Sequence, residues 1–300
     1  MTDRPPLFVM TALSPQLTEA LEQRFTVHSG GGPEDSRAIV AGGASVIDAA
    51  MIEALPRLEI IAVNGVGYDG IDLEAARARG IRVTTTPDVL TDDVADQAIA
   101  LMLAVQRRIA VNDRMVRDGG WMVPPGRQAS GRRIGIFGLG RIGHAIARRA
   151  EPFAAELLYT ARQAKPDVPW RFVPDIHVLA EACDVLILSA PGGKATQHVV
   201  DAEVLAALGS DGVLVNIARG SLVDEPALIA ALGDGTIAGA GLDVFENEPD
   251  VPRALRHMDH VVLAPHQGSA TEAGRAAMAR LVLANLDAHF AGEPLPTPLV

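Results

Sequence analysis

Short apolar runs rich in β-branched residues alternate along this chain with stretches whose apolar positions recur every three or four residues. The first pattern is that of strands buried on both faces and the second that of amphipathic helices, so their alternation predicts parallel α/β architecture from end to end. In the first ninety residues the expected strands are LFVM, FTVH, AIVAG, LEIIAVN and IRVTT, with helical segments such as SPQLTEALEQR and DLEAARARG between them. From Arg133 onward a second series appears: RIGIFG, ELLYT, DVLILSA, GVLVNIA, IAGAGLDV and HVVLAP, six strands with helical crossovers. Between the two series lies TDDVADQAIALMLAVQRRIAVNDRMVRDGG. Thr91 is its expected N-cap, Asp92 and Asp93 complement the dipole of its first turn, and Val94, Ala98, Met102, Val105 and Ile109 mark one face. Gly119 and Gly120 stop the pattern, which predicts one long helix bridging two domains. After the last strand, TEAGRAAMARLVLANLDAHFAG reads as one more helix with Ala277, Leu281, Leu283 and Leu286 on a partly apolar face; pattern alone does not say where it packs.

Composition narrows the function classes. Of 300 residues, 48% are hydrophobic and 21% charged, enough to build sizeable cores in one large or two ordinary domains. A net charge of −11 with no Lys/Arg run argues against nucleic acid as a partner, while anionic small molecules need only a local basic pocket. Cys183 is the only cysteine, which excludes an intrachain disulfide and suits a reducing compartment; it opens an apolar strand and reads as core packing. MTDRPPLFVMTAL lacks a signal-peptide pattern, and no run of ~18 apolar residues occurs, so the expectation is a cytoplasmic protein without a membrane partner. Eight histidines are present, but no His or Cys pair lies at ligand spacing next to the motifs below, and no metal is expected.

Gly138, Gly140 and Gly143 directly follow an apolar strand and open a helix with Ile142, Ile146 and Ala150 on one face. In that context G-x-G-x-x-G is a dinucleotide-binding turn: the first glycine allows the tight turn, the second lets pyrophosphate approach the backbone, and the third lets helix and strand pack closely. The helix N-terminus then supplies N–H donors to the phosphates. Arg162 stands 19 residues past Gly143, close to the ~20 at which an acidic residue would bind a free ribose 2′-OH. A guanidinium there, with Gln163 beside it, suits a 2′-phosphate instead, so NADPH is the preferred cofactor and NADH the alternative.

Ligands of open α/β sheets sit beyond the carboxyl ends of the strands. Three such ends carry chemistry: Arg219 in VLVNIARGSLVDE, Asp243 and Glu248 in GAGLDVFENEP, and His266 in HVVLAPHQGSAT. Singly, each has a bland explanation as surface charge, loop residue or structural histidine. Together they describe reduction of a 2-keto acid. Arg219 clamps the substrate carboxylate and polarises the keto group, His266 protonates the carbonyl oxygen, and Glu248 holds the imidazole.

On VGYDGIDL, TPDVLTDDVADQAIALMLA, GIFGLGRIG, VNIARGSLVDEPAL, GAGLDVFENEP and APHQGSAT, spanning residues 60 to 275, the chain resembles the D-2-hydroxyacid dehydrogenase family and, within it, the glyoxylate/hydroxypyruvate reductases. The resemblance implies two doubly wound parallel-sheet α/β domains, a Rossmann-type coenzyme domain over residues 94–269 and a discontinuous flavodoxin-like substrate domain over 1–93 and 270–300, with the active site in the cleft between them. It implies Arg219, Glu248 and His266 as the catalytic set, Val66 and Gly67 as backbone donors to the substrate carboxylate beside Arg219 and His266, and Asp243 as the partner of the nicotinamide amide. Carried over to the cofactor site, it marks Gly138, Gly140, Arg141, Ile142, Gly143, Arg162, Gln163, Ala190, Pro191, Thr196, Ala218 and Asp243. It also implies a homodimer formed through the coenzyme domains.

Some positions depart from the family pattern. APGGKATQHVV is shorter and richer in glycine than usual, which weakens Thr196 as a cofactor contact. Gln267 replaces an aliphatic residue and either adjusts the pocket or bonds neighbouring backbone, and Trp121 is either packing or a pocket wall supplied across a dimer. The chain ends at Val300, and no appended regulatory domain is expected. The substrate is expected to be glyoxylate or hydroxypyruvate. The alternatives are a bulkier 2-keto acid such as phenylpyruvate and, from another class, a dinucleotide-sensing corepressor-like binding protein, whereas Glu248 in place of a Gln disfavours formate oxidation.

Overall fold

In the computed structural model, residues 4–300 are described. Met1, Thr2 and Asp3, which open the segment read above for a signal peptide, lie outside them. The chain forms two compact units, one from the residues up to Leu90 together with Thr271–Val300, the other from Thr91–Ala270.

The first unit is built on strands β1 (Pro6–Val9), β2 (Thr26–Ser29), β3 (Ala38–Gly42), β4 (Ile60–Asn64) and β5 (Arg82–Thr84), with helices α1 (Pro15–Glu22), α2 (Ala49–Ala54) and α3 (Leu73–Ala78). Their order in the sheet, β2-β1-β3-β4-β5, is all parallel and is that of a flavodoxin-like doubly wound sheet. Each helix starts at a side-chain cap, Ser14, Asp48 or Asp72, whose oxygen takes a first-turn N–H.

The second unit contains α4 (Thr91–Gln106), α5 (Ile109–Arg117), β6 (Arg132–Phe137), α6 (Arg141–Ala150), β7 (Ala154–Thr160), β8 (Arg171–Phe172), α7 (Ile176–Ala182), β9 (Val185–Leu188), α8 (Ala202–Leu208), β10 (Val213–Asn216), α9 (Glu225–Gly233), β11 (Gly239–Leu242), α10 (Arg253–Arg256) and β12 (Val261–Leu263). Its parallel sheet runs β12-β11-β10-β9-β6-β7-β8, the Rossmann order extended by one strand. Seven strands rather than six are present because Arg171–Phe172 adds an edge pair beside β7, too short to leave a pattern in the sequence. Gly239 and Gly241 leave room for α4 to lie directly on β11, where a Cβ would meet Val105 or Leu101 at 3.0 Å.

The expected single long helix is two. Arg108 adopts the left-handed region at φ 54°, and the Gln106 carbonyl accepts the Arg127 N–H at 2.7 Å instead of a helical partner. The apolar spacing from Val94 to Ile109 continues across this break, so periodicity had no means of revealing it.

The last helix, α11 (Glu272–Ala291), belongs to the first unit, with Val282 and Leu286 in one core with Leu7, Val40, Ile60 and Ala62. His289 on α11 lies 3.2 Å from the Glu59 carboxylate, which also pairs with Arg37. The fully buried Asn285 donates to Thr297 Oγ1 at 2.8 Å and accepts the Thr297 N–H at 3.1 Å, while Thr297 Oγ1 donates to Thr85 O at 2.6 Å. One helix side chain thereby anchors the C-terminal segment to the end of β5. No helix among the described residues is long and apolar enough to cross a membrane. Asn285→Ala strands these buried partners and is expected to cost about 1–3 kcal/mol, read as a lower urea midpoint and faster amide exchange at Thr297; an unchanged midpoint would mean that water replaces the amide without loss.

Candidate active site

Strand ends of the second sheet carry nearly all of the expected site. Gly138 follows β6 at φ 99°, its N–H donates to Thr160 O at 2.9 Å, and a Cβ there would sit 2.7 Å from Ala190 N. Only glycine fits both the conformation and the approach. A Cβ on Gly143 would overlap Gly138 O and come within 2.7 Å of Ser189 Oγ, which itself donates to Gly138 O at 2.5 Å. The turn therefore packs directly against the segment after β9 that holds Ala190 and Pro191.

The start of α6 differs from that of its neighbours. Asp175, Asp201 and Asp224 cap the first turns of α7, α8 and α9 with their carboxylates, whereas α6 begins at Gly140 with no capping side chain. The first turn, Arg141, Ile142 and Gly143, thus offers its N–H groups to an anion, and Gly140 has open space where a Cβ would point. Exposed Arg162 and Gln163 follow β7 on the adjacent strand end. Tyr159, fully buried, accepts the Lys165 N–H with its hydroxyl at 2.7 Å and so pins the turn that carries Arg162. A dinucleotide fits this donor set, with the glycines and the helix N-terminus against its pyrophosphate.

Thr196 donates its hydroxyl to Pro191 O at 2.8 Å and Gly193 O at 3.2 Å, so its proton is committed to the short loop itself. Buried Ala218 is held by Asn216, which accepts the Ala218 N–H at 3.0 Å and donates to Arg219 O at 2.8 Å. Asn216 was quoted in the motif but given no role by sequence reasoning. The available signal was an amide ending a fully apolar strand, where a buried polar group requires partners.

His266, Glu248, Asp243 and Arg219 come together. His266 Nδ1 lies 2.7 Å from Glu248 Oε2, and Glu248 Oε1 accepts the Phe245 N–H at 3.0 Å. Burial pushes the Glu248 carboxyl up, but its bond to His266, the His266 charge, the Phe245 N–H and the charge of Arg219 together hold it below the usual carboxylate value. Arg219 follows β10 half-buried and donates to Ala218 O at 2.6 Å.

Asp243, 1% exposed, accepts the N–H groups of Gln267 and Gly268, each at 2.7 Å, and the Gln97 amide at 3.3 Å. Burial raises its pKa against the pull of these donors and of His266. His266 itself stands at φ 53° with its N–H on Asp243 O at 2.8 Å. Gln97 is a second residue that sequence reasoning passed over, hidden as one polar position in an amphipathic helix. Gln267 donates its side chain to Pro265 O at 3.0 Å, so of its two expected roles the backbone bond is the one observed. Val66 and Gly67 lie in the first unit, directly after β4, where Gly65 O accepts the Thr86 N–H at 2.8 Å. Trp121 is 84% exposed and makes no core packing in the monomer.

Residues 99–268 match the NAD binding domain of the D-isomer specific 2-hydroxyacid dehydrogenases. A 2-ketogluconate reductase of Gluconobacter oxydans is 46% identical over 310 residues, covering the whole of both chains. A hydroxyphenylpyruvate reductase of Plectranthus scutellarioides is 49% identical, over 89% of this chain and 86% of its own. Among solved structures, an NADPH-dependent glyoxylate/hydroxypyruvate reductase from Sinorhizobium meliloti, in complex with NADP and malonate, superposes with a TM-score of 0.93 at 43% identity, over 99% of this chain and 97% of that one.

Proposed function

Because the chain belongs to the D-isomer specific 2-hydroxyacid dehydrogenase family and is thereby an oxidoreductase of 2-keto acids, we propose that it reduces glyoxylate or hydroxypyruvate to the D-2-hydroxy acid with NADPH. The observation that carries this reading is the His266–Glu248 pair at 2.7 Å beside the Arg219 charge, on the same strand ends as the glycine turn. The likeness to a structure with NADP bound supports the cofactor, and exposed Arg162, held by the Tyr159–Lys165 bond, supports NADPH over NADH.

When bound, the reduced nicotinamide supplies the hydride to the keto carbon. The chain does the rest. Arg219 takes the substrate carboxylate and draws density from the keto oxygen. His266 delivers its Nε2 proton to that oxygen, so the keto group gains one hydride and one proton and becomes the alcohol; the ring is then reprotonated from water. Glu248, ionised across the working range by its lowered pKa, orients the ring through Nδ1 and balances the charge of its protonated form. Asp243 has accepted three donors, and the remaining carboxylate lone pair is assigned to the nicotinamide amide.

A bulkier keto acid is the second reading, favoured by the 49% identity to a hydroxyphenylpyruvate reductase. The protein is assigned to the cytoplasm, in keeping with one buried, unreactive cysteine whose thiol is pushed up to about 12 by burial. It is assigned as a homodimer through the second unit, where Trp121 and Met122, 84% and 87% exposed, stand beyond the exposed Ile109 and Val116 of α5.

The decisive assay compares kcat/KM for glyoxylate, hydroxypyruvate and phenylpyruvate with each cofactor, in wild type and His266→Ala. The fastest turnover is expected with NADPH and a small acid, and His266→Ala is expected to lower kcat by about 10²–10⁴ while NADPH still binds; equal loss of binding would contradict the proton-donor role. Arg162→Asp is expected to weaken NADPH about 10–100-fold and NADH far less, from the loss of charge-assisted bonds, and an unchanged preference would place the 2′-phosphate elsewhere. In sedimentation velocity the wild type is expected as a dimer and the Trp121→Ala/Met122→Ala variant as monomer; a monomeric wild type ends the dimer assignment.

A further inference from the structure

Two residues before Glu248, the same loop carries a second His–Glu pair that the reaction above leaves unused. His198 Nε2 lies 2.7 Å from Glu246 Oε1, and both side chains are partly exposed. They arrive from different loops. His198 ends the segment after β9 that also holds Ala190, Pro191 and Thr196, and Glu246 follows β11 on the way to Glu248.

His198 is held at φ 50°, a conformation that a residue with a Cβ keeps only where its surroundings impose it. Three backbone bonds impose it. His198 N–H donates to Ser221 O at 2.8 Å, Val200 N–H to Leu222 O at 2.9 Å and Asp224 N–H to Val200 O at 2.9 Å. The segment 198–200 is thus stitched to the residues that follow Arg219. Gly220, in that same stretch, passes so close to Phe245 and Glu246 that a Cβ would overlap their backbone.

The loop bearing Glu246 also meets an opposing charge balance. Buried Glu225, at the start of α9, takes the Glu246 N–H at 3.4 Å. Burial raises the Glu225 pKa, the Glu246 N–H pulls it back, and the nearby Glu246 charge adds to the rise. Two carboxylates therefore repel across a loop that must keep Glu248 within hydrogen-bond reach of His266. His198, bonded to Glu246 Oε1, fixes where that carboxylate points.

We propose that His198 and Glu246 form a latch that positions Glu248, and through it His266, while tying the loop of Ala190, Pro191 and Thr196 to the acid–base loop. The latch rests on the reading of His266 as proton donor and Glu248 as its orienting partner. Both residues act through others and are positioning residues. Glu246 is the charged group bonded to His198, with Glu225 next to Glu246; Glu248 is bonded to His266, whose charge also acts on Asp243, and Arg219 acts on Glu248.

The test follows reduction of the fastest of the three keto acids by NADPH from pH 5 to 9, in wild type, His198→Ala, Glu246→Gln, the double variant and Glu248→Gln. NADPH affinity is measured alongside by nicotinamide fluorescence, and folding by thermal melting. Each single latch variant is expected to lose about tenfold in kcat, with the NADPH Kd and keto acid KM within about twofold of wild type. The basic limb of the pH profile is expected to move to lower pH, and the double variant to be no slower than the slower single. Wild-type kcat and pH limb in both singles, additive losses in the double, a rise in KM in place of the fall in kcat, or a loss that tracks a lowered melting point would each overturn the latch. Glu248→Gln separates the two readings. If it leaves the limb in place, the acid–base assignment itself falls; if it moves the limb and the latch variants do not, only the latch falls.

Discussion

One buried carboxylate holds the site in register. Asp243 ends the run after β11 and takes the N–H groups of Gln267 and Gly268 from the turn after β12, while its own carbonyl takes the His266 N–H. These bonds keep His266 at a left-handed φ of 53° that its Cβ would otherwise disfavour. The ring is aimed by the backbone before Glu248 touches it. Charge-assisted bonds to backbone donors are about twice as strong as neutral ones, which is what a strained turn needs to stay put. The same carboxylate reaches Gln97 on α4, so the helix that lies on the glycines of β11 shares in holding the turn.

Much of this was legible in the residues. The inner strands β3, β4, β9, β10 and β11 are buried on both faces, and that produces continuous apolar stretches that survive in sequence with little ambiguity. The glycine turn was legible because Gly138 and Gly143 are demanded by backbone-to-backbone contact, which no other residue satisfies. Arg219, Glu248 and His266 drew notice only as a set, because each alone has a bland explanation and it is their company beyond the ends of apolar strands that describes one chemistry. Resemblance then supplied what spacing does not, the discontinuity of the first unit among it.

What was hidden was hidden for physical reasons. The break between α4 and α5 arises where the Gln106 carbonyl is claimed by Arg127, a partner twenty-one residues on, and the apolar period on either side stays intact. Strand β8 is two residues long and owes its pairing to β7. Gln97 acts through a bond to a carboxylate far along the chain, while Asn216 and Tyr159 bond backbone two to six residues on in irregular turns, and neither kind of bond leaves a periodic pattern. The flexible reading of Gln267 closed only when its amide was placed on Pro265 O.

Three carboxylates, Asp243, Glu246 and Glu248, lie along loops that the proposed reaction asks to receive an anionic acid, with Glu225 beside them at the start of α9, in a chain of net charge −11. The arrangement tolerates this because each is spent on a donor: Asp243 on two backbone N–H groups, Glu248 on His266 and the Phe245 N–H, Glu246 on His198, and Glu225 on the Glu246 N–H. A carboxylate whose lone pairs are occupied projects a weaker field than a bare one. Glu225 shows the limit of the device, since burial and a like charge leave its pKa raised rather than lowered. The cation that the proposed reaction sets against the incoming carboxylate is Arg219, whose charge already acts on Glu248. An acidic protein can in this way present a cationic site, because what matters to an incoming carboxylate is the balance within a Debye length, about 8 Å at physiological salt, and not the total over the chain.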